Sequence, residues 1–266
     1  MEPTSKHGSH HSESLARGLL VIRAFDSDCP RLRPIDVAKK TGISRAAARR
    51  FLLTLQDLGY VGADGDLFYL RPRVLDLGFS YLNSIGVEKL VQPVLNRISN
   101  LTDATSSFAV FDQNEVVFVA RASAKSVFQL ATRIGGRVAA HAISLGQVLL
   151  AGLPTKELEQ YLAESDRPAY TEWTITDADQ LRERLAKVRA DGYALCNSEQ
   201  FEGFIAVAVP VHNARGEVVA AVNINMYPAN ADKIDIARQH VETLRKEVWE
   251  LESAMQAHQR AMREFG

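Results

Sequence analysis

The sequence is poor in the residues and patterns that mark many protein classes. It has two cysteines, Cys29 and Cys196, and no Cys-x-x-Cys pair. That excludes a disulfide scaffold and a thiolate zinc site, and it points to reduced thiols in a cytoplasmic setting. No apolar run approaches transmembrane length and no secretory leader pattern is present, so no membrane role is expected. A surplus of one charge is missing too, since the net charge is −1. No repeat or low-complexity tract is evident. No elbow-type nucleophile turn, phosphate loop or His-x-x-x-His helix occurs. The nearest thing to a nucleophilic constellation is Cys196 with His141, oriented by Glu199 or Asn197. No motif supports that hydrolase reading, and two ligands do not make a zinc site. We therefore expect no enzyme, no metal and no cofactor.

What is present is an ordinary globular composition, 46% hydrophobic and 24% charged over 266 residues. That length accommodates two domains. Charge divides along the chain, with net +3 over residues 1–85 and net −4 over the remainder. The segment SKHGSHHSES near the start is polar and aperiodic, and reads as a disordered tail. Its His7, His10 and His11 have no acidic or thiol partner there to complete a metal site.

The most informative stretch is Arg33 to Leu70. Pro34 opens a short helix that runs to about Lys40, where a missing N–H matters little. Gly42 supplies the freedom of a sharp turn. Ser44 is a ready N-cap for a second helix that runs to about Leu58, and Gly59 closes it. Ala47, Phe51, Leu52, Leu55 and Leu58 recur at helical spacing and are expected to face a core. Ser44, Arg45, Ala46, Arg49 and Arg50 lie off that face. A basic helix end with small residues suits a DNA major groove, where cations reach phosphates and base edges. Asp64-Gly65 between two apolar runs then predicts a hairpin, the wing. Its tip is acidic, so Arg71 and Arg73 are the better candidates for phosphate contact.

Around this motif, Leu15, Leu19, Ile22 and Phe25 predict a first helix from about Ser14 to Phe25, packed behind the helix-turn-helix. Residues from about Val74 to Asn83 predict a linker helix rich in apolar side chains, expected to bury one side against a partner subunit. A helix over Val87 to Leu101, kinked at Pro93, precedes strands at Ser106–Phe111 and Glu115–Arg121. Ser126–Thr132 is a third candidate strand. Helices are expected at Ile143–Ala151, Thr155–Ala163 and Leu181–Ala190. Strands at Phe204–Val211 and Val218–Asn225 come next, and a long helix at about Asp232–Gln256 follows. This order predicts an α+β protein with an antiparallel sheet covered by helices. Asn223 and Asn225 share one face of a strand. Two buried amides must be satisfied by a side chain-to-backbone network, or they serve a carboxylate or carbonyl ligand. Arg133 and Arg137 flank Gly135-Gly136 and are candidate partners for an organic acid. The start of the helix near Ile143 offers free N–H groups to an anion. A small aromatic or keto acid fits such chemistry.

The joint order of SLARGLLVIRAF, the helix-turn-helix, GGRVAAHAISLGQVLLAGL, YTEWTITDADQLRERLAKVRADGYALCNSEQFEGFIAVAVPV and AAVNINMYP resembles the IclR family of bacterial transcriptional regulators from about Ser14 to Ala254. VFVARASA at 117–124 brings it nearest the regulators of the β-ketoadipate pathway. The resemblance implies a winged helix-turn-helix at 13–73, a linker helix at 74–86 and a GAF-like effector domain at 87–256. Residues 1–12 and 257–266 are then tails. It implies operator DNA, a small organic acid effector and a homo-oligomer, either a dimer or a dimer of dimers. Positions matching the family's pocket are Leu130, Ser144, Leu145, Cys196, Ala206, Asn223 and Asn225. This chain has Cys196-Asn197 where relatives often carry an acid, asparagines in place of serines on the last strand, and Ala139 where proline is frequent. A winged-helix protein-interaction or sensor module is the alternative reading. Steep salt dependence of DNA binding separates the two.

Overall fold

A computed structural model describes residues 11–123, 133–226 and 233–265, in two compact units, Met1–Tyr81 and Leu82–Gly266. In the first unit, α1 (Glu13–Arg23) is capped by the Ser12 hydroxyl, which accepts from the Leu15 N–H. Strand β1 (Arg31–Leu32) leads into α2 (Pro34–Thr41), then Gly42 turns the chain at φ +74°. The next helix, α3 (Arg45–Asp57), starts where the Ser44 hydroxyl accepts from the Ala47 N–H at 3.2 Å. This bond satisfies one orphan donor of the first turn. Strands β2 (Val61–Asp64) and β3 (Leu67–Leu70) form the wing, and β1 pairs on the far side of β3. Tyr69 lies across Gly62, where a Cβ would come within 2.7 Å of three atoms of its side chain.

The apolar stripes of this unit sit a step away from the expected positions. On α3 the buried residues are Ala48, Leu52 and Leu55, while Ala47 is half-buried and Leu58 exposed. On α1, Val21 is buried and Leu15 and Leu19 are exposed. Helix α4 (Leu75–Ser84), the expected linker, has no buried residue.

In the second unit the chain makes one π-type turn at Val87–Val91 before α5 (Gln92–Thr102), so Pro93 falls in a first helical turn rather than at a kink. Strands β4 (Thr105–Asp112) and β5 (Glu115–Ala122) form a hairpin, with Gln113 and Asn114 both at positive φ. The candidate strand at 126–132 lies outside the described residues. Strand β6 (Arg137–Ala139) instead pairs with β5. Helices α6 (Ser144–Gly152), α7 (Thr155–Glu164) and α8 (Ala178–Asp191) follow, and Gly192 ends α8 in the left-handed conformation. Strands β7 (Ala194–Asn197), β8 (Ile205–His212) and β9 (Val218–Met226) complete a six-stranded antiparallel sheet in the order β6-β5-β4-β9-β8-β7. The expected long terminal helix is two, α9 (Lys233–Gln239) and α10 (Val241–Phe265).

The sheet has two different faces. Phe108, Val207, Val209, Val222 and Ile224 bury one face beneath α5 and α10, together with Leu95, Ile98, Leu244 and Leu251. Ala109, Ala194, Ala208 and Ala221 turn the other way, toward α6. Small side chains let α6 lie close. At Gly146 a Cβ would meet three backbone atoms of Ala140 at 2.5 Å or less. That close approach fixes where α6 begins, and the cavity described next opens there.

Candidate functional site

The first unit presents α3 as its basic edge. Ser44, Arg45, Ala46, Arg49 and Arg50 are all exposed, as is Arg71. No carboxylate among the described residues pairs with Arg45, Arg49, Arg50 or Arg71. Several other cations of this unit are neutralised: Arg17 pairs with Glu13, Arg31 with Asp64, Arg33 with Asp36 and Lys40 with Asp26, while Arg23 and Lys39 are exposed without an ion pair among the described residues. The acidic wing tip is thereby half masked. Arg73 differs from the expectation. Its guanidinium donates to the Leu58 carbonyl at 2.8 Å and covers the Tyr60 ring, so it closes α3.

In the second unit a cavity opens between the N-terminus of α6 and the ends of β7, β8 and β9. Six expected positions line it: Ser144, Leu145, Cys196, Ala206, Asn223 and Asn225. Two others, Arg133 and Arg137, do not. Leu130 lies outside the described residues. Arg133 is exposed. Arg137 is held at the sheet edge by Asp112 and Glu115, because β6 pairs beside those two residues.

The register explains the polar lining. Directly paired residues of antiparallel strands share a face, so Arg121, Ser107, Asn223 and Ala208 form one row across β5, β4, β9 and β8. The next row is Thr105, Asn225, Ala206 and Cys196. Asn223 donates to the Asn225 side-chain oxygen at 3.2 Å, so the asparagines partly satisfy each other. The Asn223 Oδ1 and the hydroxyls of Ser144 and Ser107 are buried with no hydrogen-bond partner. Such groups cost about 1–3 kcal/mol each when unsatisfied. The N-terminus of α6 also has no side-chain cap, since Ile143 occupies that position. Burial pulls the Arg121 guanidinium below its ordinary value.

Sequence reasoning missed the aromatic walls Phe118, Phe201 and Phe204, and met Glu199 only as an orienting group in the hydrolase reading. Glu199 is 4% exposed. Its Oε2 accepts from Gln147 Nε2 at 2.7 Å and its Oε1 from Arg184 at 3.1 Å. Burial pushes its carboxyl up, and the Arg184 charge opposes the shift. The strap between α7 and α8 holds this turn, as Thr171 donates to the Ser198 carbonyl and Thr174 to the Glu199 carbonyl at 2.7 and 2.6 Å. The interior of the cavity is small, about 50 Å³. That is room for about one or two waters, so an organic ligand requires side chains to move.

Nothing here resembles a catalytic pair. His141 is buried, bonds the Pro168 carbonyl at 3.0 Å and stacks on Tyr170. Burial pushes the Cys196 thiol well up, and neighbouring Glu199 adds to the shift, so the thiolate is disfavoured. A larger groove of about 910 Å³ opens at the far end of α6. Its charges are already matched, Arg189 to the carbonyls of Ala151 and Leu153 and His212 to Glu252. None of the orphaned side-chain atoms lies there, so the chemistry favours the smaller cavity.

A winged helix with an unmatched cationic helix end, in a chain that also carries a sheet domain with a polar pocket, defines a ligand-responsive DNA-binding regulator. The chain belongs to the IclR family of bacterial transcriptional regulators. The family's helix-turn-helix domain matches residues 14–65 and its C-terminal domain residues 79–251. The chain is 41% identical over 214 residues to the p-hydroxybenzoate hydroxylase transcriptional activator of Acinetobacter baylyi, covering 79% of each protein. It is 34% identical over 232 residues to the Pca regulon regulatory protein of Pseudomonas putida, covering 87% of this chain and 80% of that one. Among solved structures, an IclR homologue from Microbacterium hydrocarbonoxydans complexed with 4-hydroxybenzoate superposes with a TM-score of 0.77 at 25% identity, over 92% of this chain and 99% of that one. Its relatives are regulators, not enzymes. No helix among the described residues is long and apolar enough to cross a membrane.

Proposed function

We propose that this protein controls an operon for aromatic-acid breakdown and is gated by a small aromatic acid bound in the α6 cavity. The observation that carries this reading is the convergence of two orphaned buried oxygens, Ser144 Oγ and Asn223 Oδ1, and an uncapped helix start on one pocket. An organic acid matches the Ser144 hydroxyl and the helix start, because hydroxyls and helix N–H groups stabilise a carboxylate, while Asn223 Oδ1 can only accept from another part of the ligand. The relatives named for p-hydroxybenzoate and Pca regulation, and the 4-hydroxybenzoate complex, support an aromatic effector.

At the DNA end, Arg45, Arg49, Arg50 and Arg71 contact phosphates and base edges, and Ser44 and Ala46 let the helix approach. The protein acts as a homodimer or a dimer of dimers. The support is an exposed apolar surface in the first unit: a groove of about 440 Å³ lined by Leu15, Leu19, Leu58 and Leu77, with Phe79 exposed nearby on α4. A second copy covers it, and two recognition helices then read two half-sites. Effector binding changes the pose of the paired DNA-binding domains through α4, for which a coupling of about 1–3 kcal/mol suffices.

Calorimetry with benzoate and hydroxybenzoates, and anisotropy with the upstream promoter fragment at several salt concentrations, test the two halves. Operator affinity that ignores salt would refute the DNA reading. No heat from any aromatic acid would refute the effector reading. Leu19→Glu should dissociate the oligomer in sedimentation, and an unchanged mass would remove that face from the interface.

A further inference from the structure

We infer that Glu199 sets the selectivity of the effector cavity, accepting a hydrogen bond from a hydroxyl of the ligand, so that the site takes a hydroxylated acid over the same acid without the hydroxyl. The inference rests on the effector reading above and specifies it.

A buried carboxylate facing a ligand cavity is an unusual wall. Glu199 is held rigidly, with Gln147 of α6 on one oxygen and Arg184 of α8 on the other. The strap threonines fix its backbone from a third direction. An ionised carboxylate has about four acceptor sites. The Gln147 and Arg184 bonds use two, and the Cys196 thiol is a weak third partner. Acceptor capacity is left on the cavity side. Asn223 Oδ1 is a second unmatched acceptor on that wall, because its own amide nitrogen is committed to Asn225. Two acceptors call for a ligand that donates.

The ligand's carboxylate cannot sit against Glu199, because two like charges in a buried site repel. It belongs instead with the donors, the Ser144 hydroxyl and the N–H groups that open α6. An unsubstituted ring then places C–H edges on Glu199. That strips water from the acceptor and returns nothing. A ring O–H restores a charge-assisted bond in the same place. Phe118, Phe201 and Phe204 supply the flat apolar walls that a ring needs.

Calorimetry on the full chain with benzoate, 4-fluorobenzoate, 3- and 4-hydroxybenzoate and 3,4-dihydroxybenzoate tests this. Wild type should bind at least one hydroxylated acid roughly 10- to 100-fold more tightly than benzoate, the range for a hydrogen bond to a charged group. 4-Fluorobenzoate, close to a hydroxyl in size but with no proton to give, should bind as benzoate does. Glu199→Gln should bring the hydroxylated acids to within about threefold of benzoate. Near-ultraviolet circular dichroism verifies the fold of the variant. If it does not fold, the wild-type comparison of 4-fluoro- with 4-hydroxybenzoate decides alone. Equal binding of benzoate and the hydroxylated acids, or an undiminished preference in folded Glu199→Gln, overturns the inference while leaving the effector reading standing. Failure of every acid to bind overturns both.

Discussion

Replacing Ser144 by alanine should make the unliganded protein more stable and the liganded one less so. The hydroxyl is fully buried and has no partner. It is not the α6 cap, since Ile143 holds that position. An unsatisfied buried hydroxyl costs about 1–3 kcal/mol, and alanine removes that penalty. Alanine also has the better helix propensity, by a few tenths of a kcal/mol. The expected gain is therefore about 1–3 kcal/mol without ligand. For a unit of this size each kcal/mol raises Tm by roughly 2–4 °C. Both tryptophans, Trp173 and Trp249, lie in the second unit, so their fluorescence follows that unit selectively. The same variant should bind an aromatic acid about tenfold less tightly, through the loss of one hydrogen bond to a charged group. The two effects have opposite signs, which makes the test severe. If Ser144→Ala lowers the unliganded Tm, the hydroxyl already has a partner. The argument for a ligand at this spot then fails.

Other outcomes follow from packing and charge. Gly146→Ala should cost more than about 3 kcal/mol and abolish effector binding, because its methyl meets Ala140 backbone that cannot rotate away. A thermal melt close to wild type would contradict the close approach of α6. Burial holds the His141 pKa below its ordinary value. The unfolded chain therefore binds the extra proton first, and stability falls as pH drops below about 6.5 toward the lowered folded value. His141→Gln should flatten urea stability across that window, leaving the smaller slope of half-buried His240, which shifts the same way. An unaltered slope would show that His141 is not neutral when folded. In thiol titration with an aromatic disulfide, half-buried Cys29 should react readily and Cys196 only on unfolding. Rapid modification of both would mean that the cavity opens far more than its geometry implies.

Local chemistry was readable from the chain, and long-range burial was not. Gly42, Ser44 and the Asn213–Gly216 turn act within a few residues of themselves, so the helix-turn-helix and the β8–β9 hairpin could be placed closely. Helical spacing revealed an apolar stripe on α1 but not which way it turned; Leu15 and Leu19 face outward and Val21 inward. Strands β1 and β7 have two and four residues, too few for an alternating pattern to stand out. The α9–α10 break at His240 carries no proline or glycine, so nothing local announces it. The pocket divides the same way. Residues on the inward strand faces could be found by register, whereas Glu199 is buried only because α6 and α8 deliver Gln147 and Arg184 to it. A charged residue gives no sign of burial until its partners arrive. Arg137 misled for the converse reason, since Asp112 and Glu115 reach it through β-pairing.

Alternation along β8 and β9 keeps two evolutionary pressures apart. Positions 206, 223 and 225 line the α6 cavity and 208 shares their face, while 207, 209, 222 and 224 hold the opposite core. On the effector reading proposed above, drift in what the regulator senses proceeds on every second residue of a strand. The intervening residues keep the scaffold intact, so new metabolite ranges are reachable by single steps without passing through unfolded intermediates.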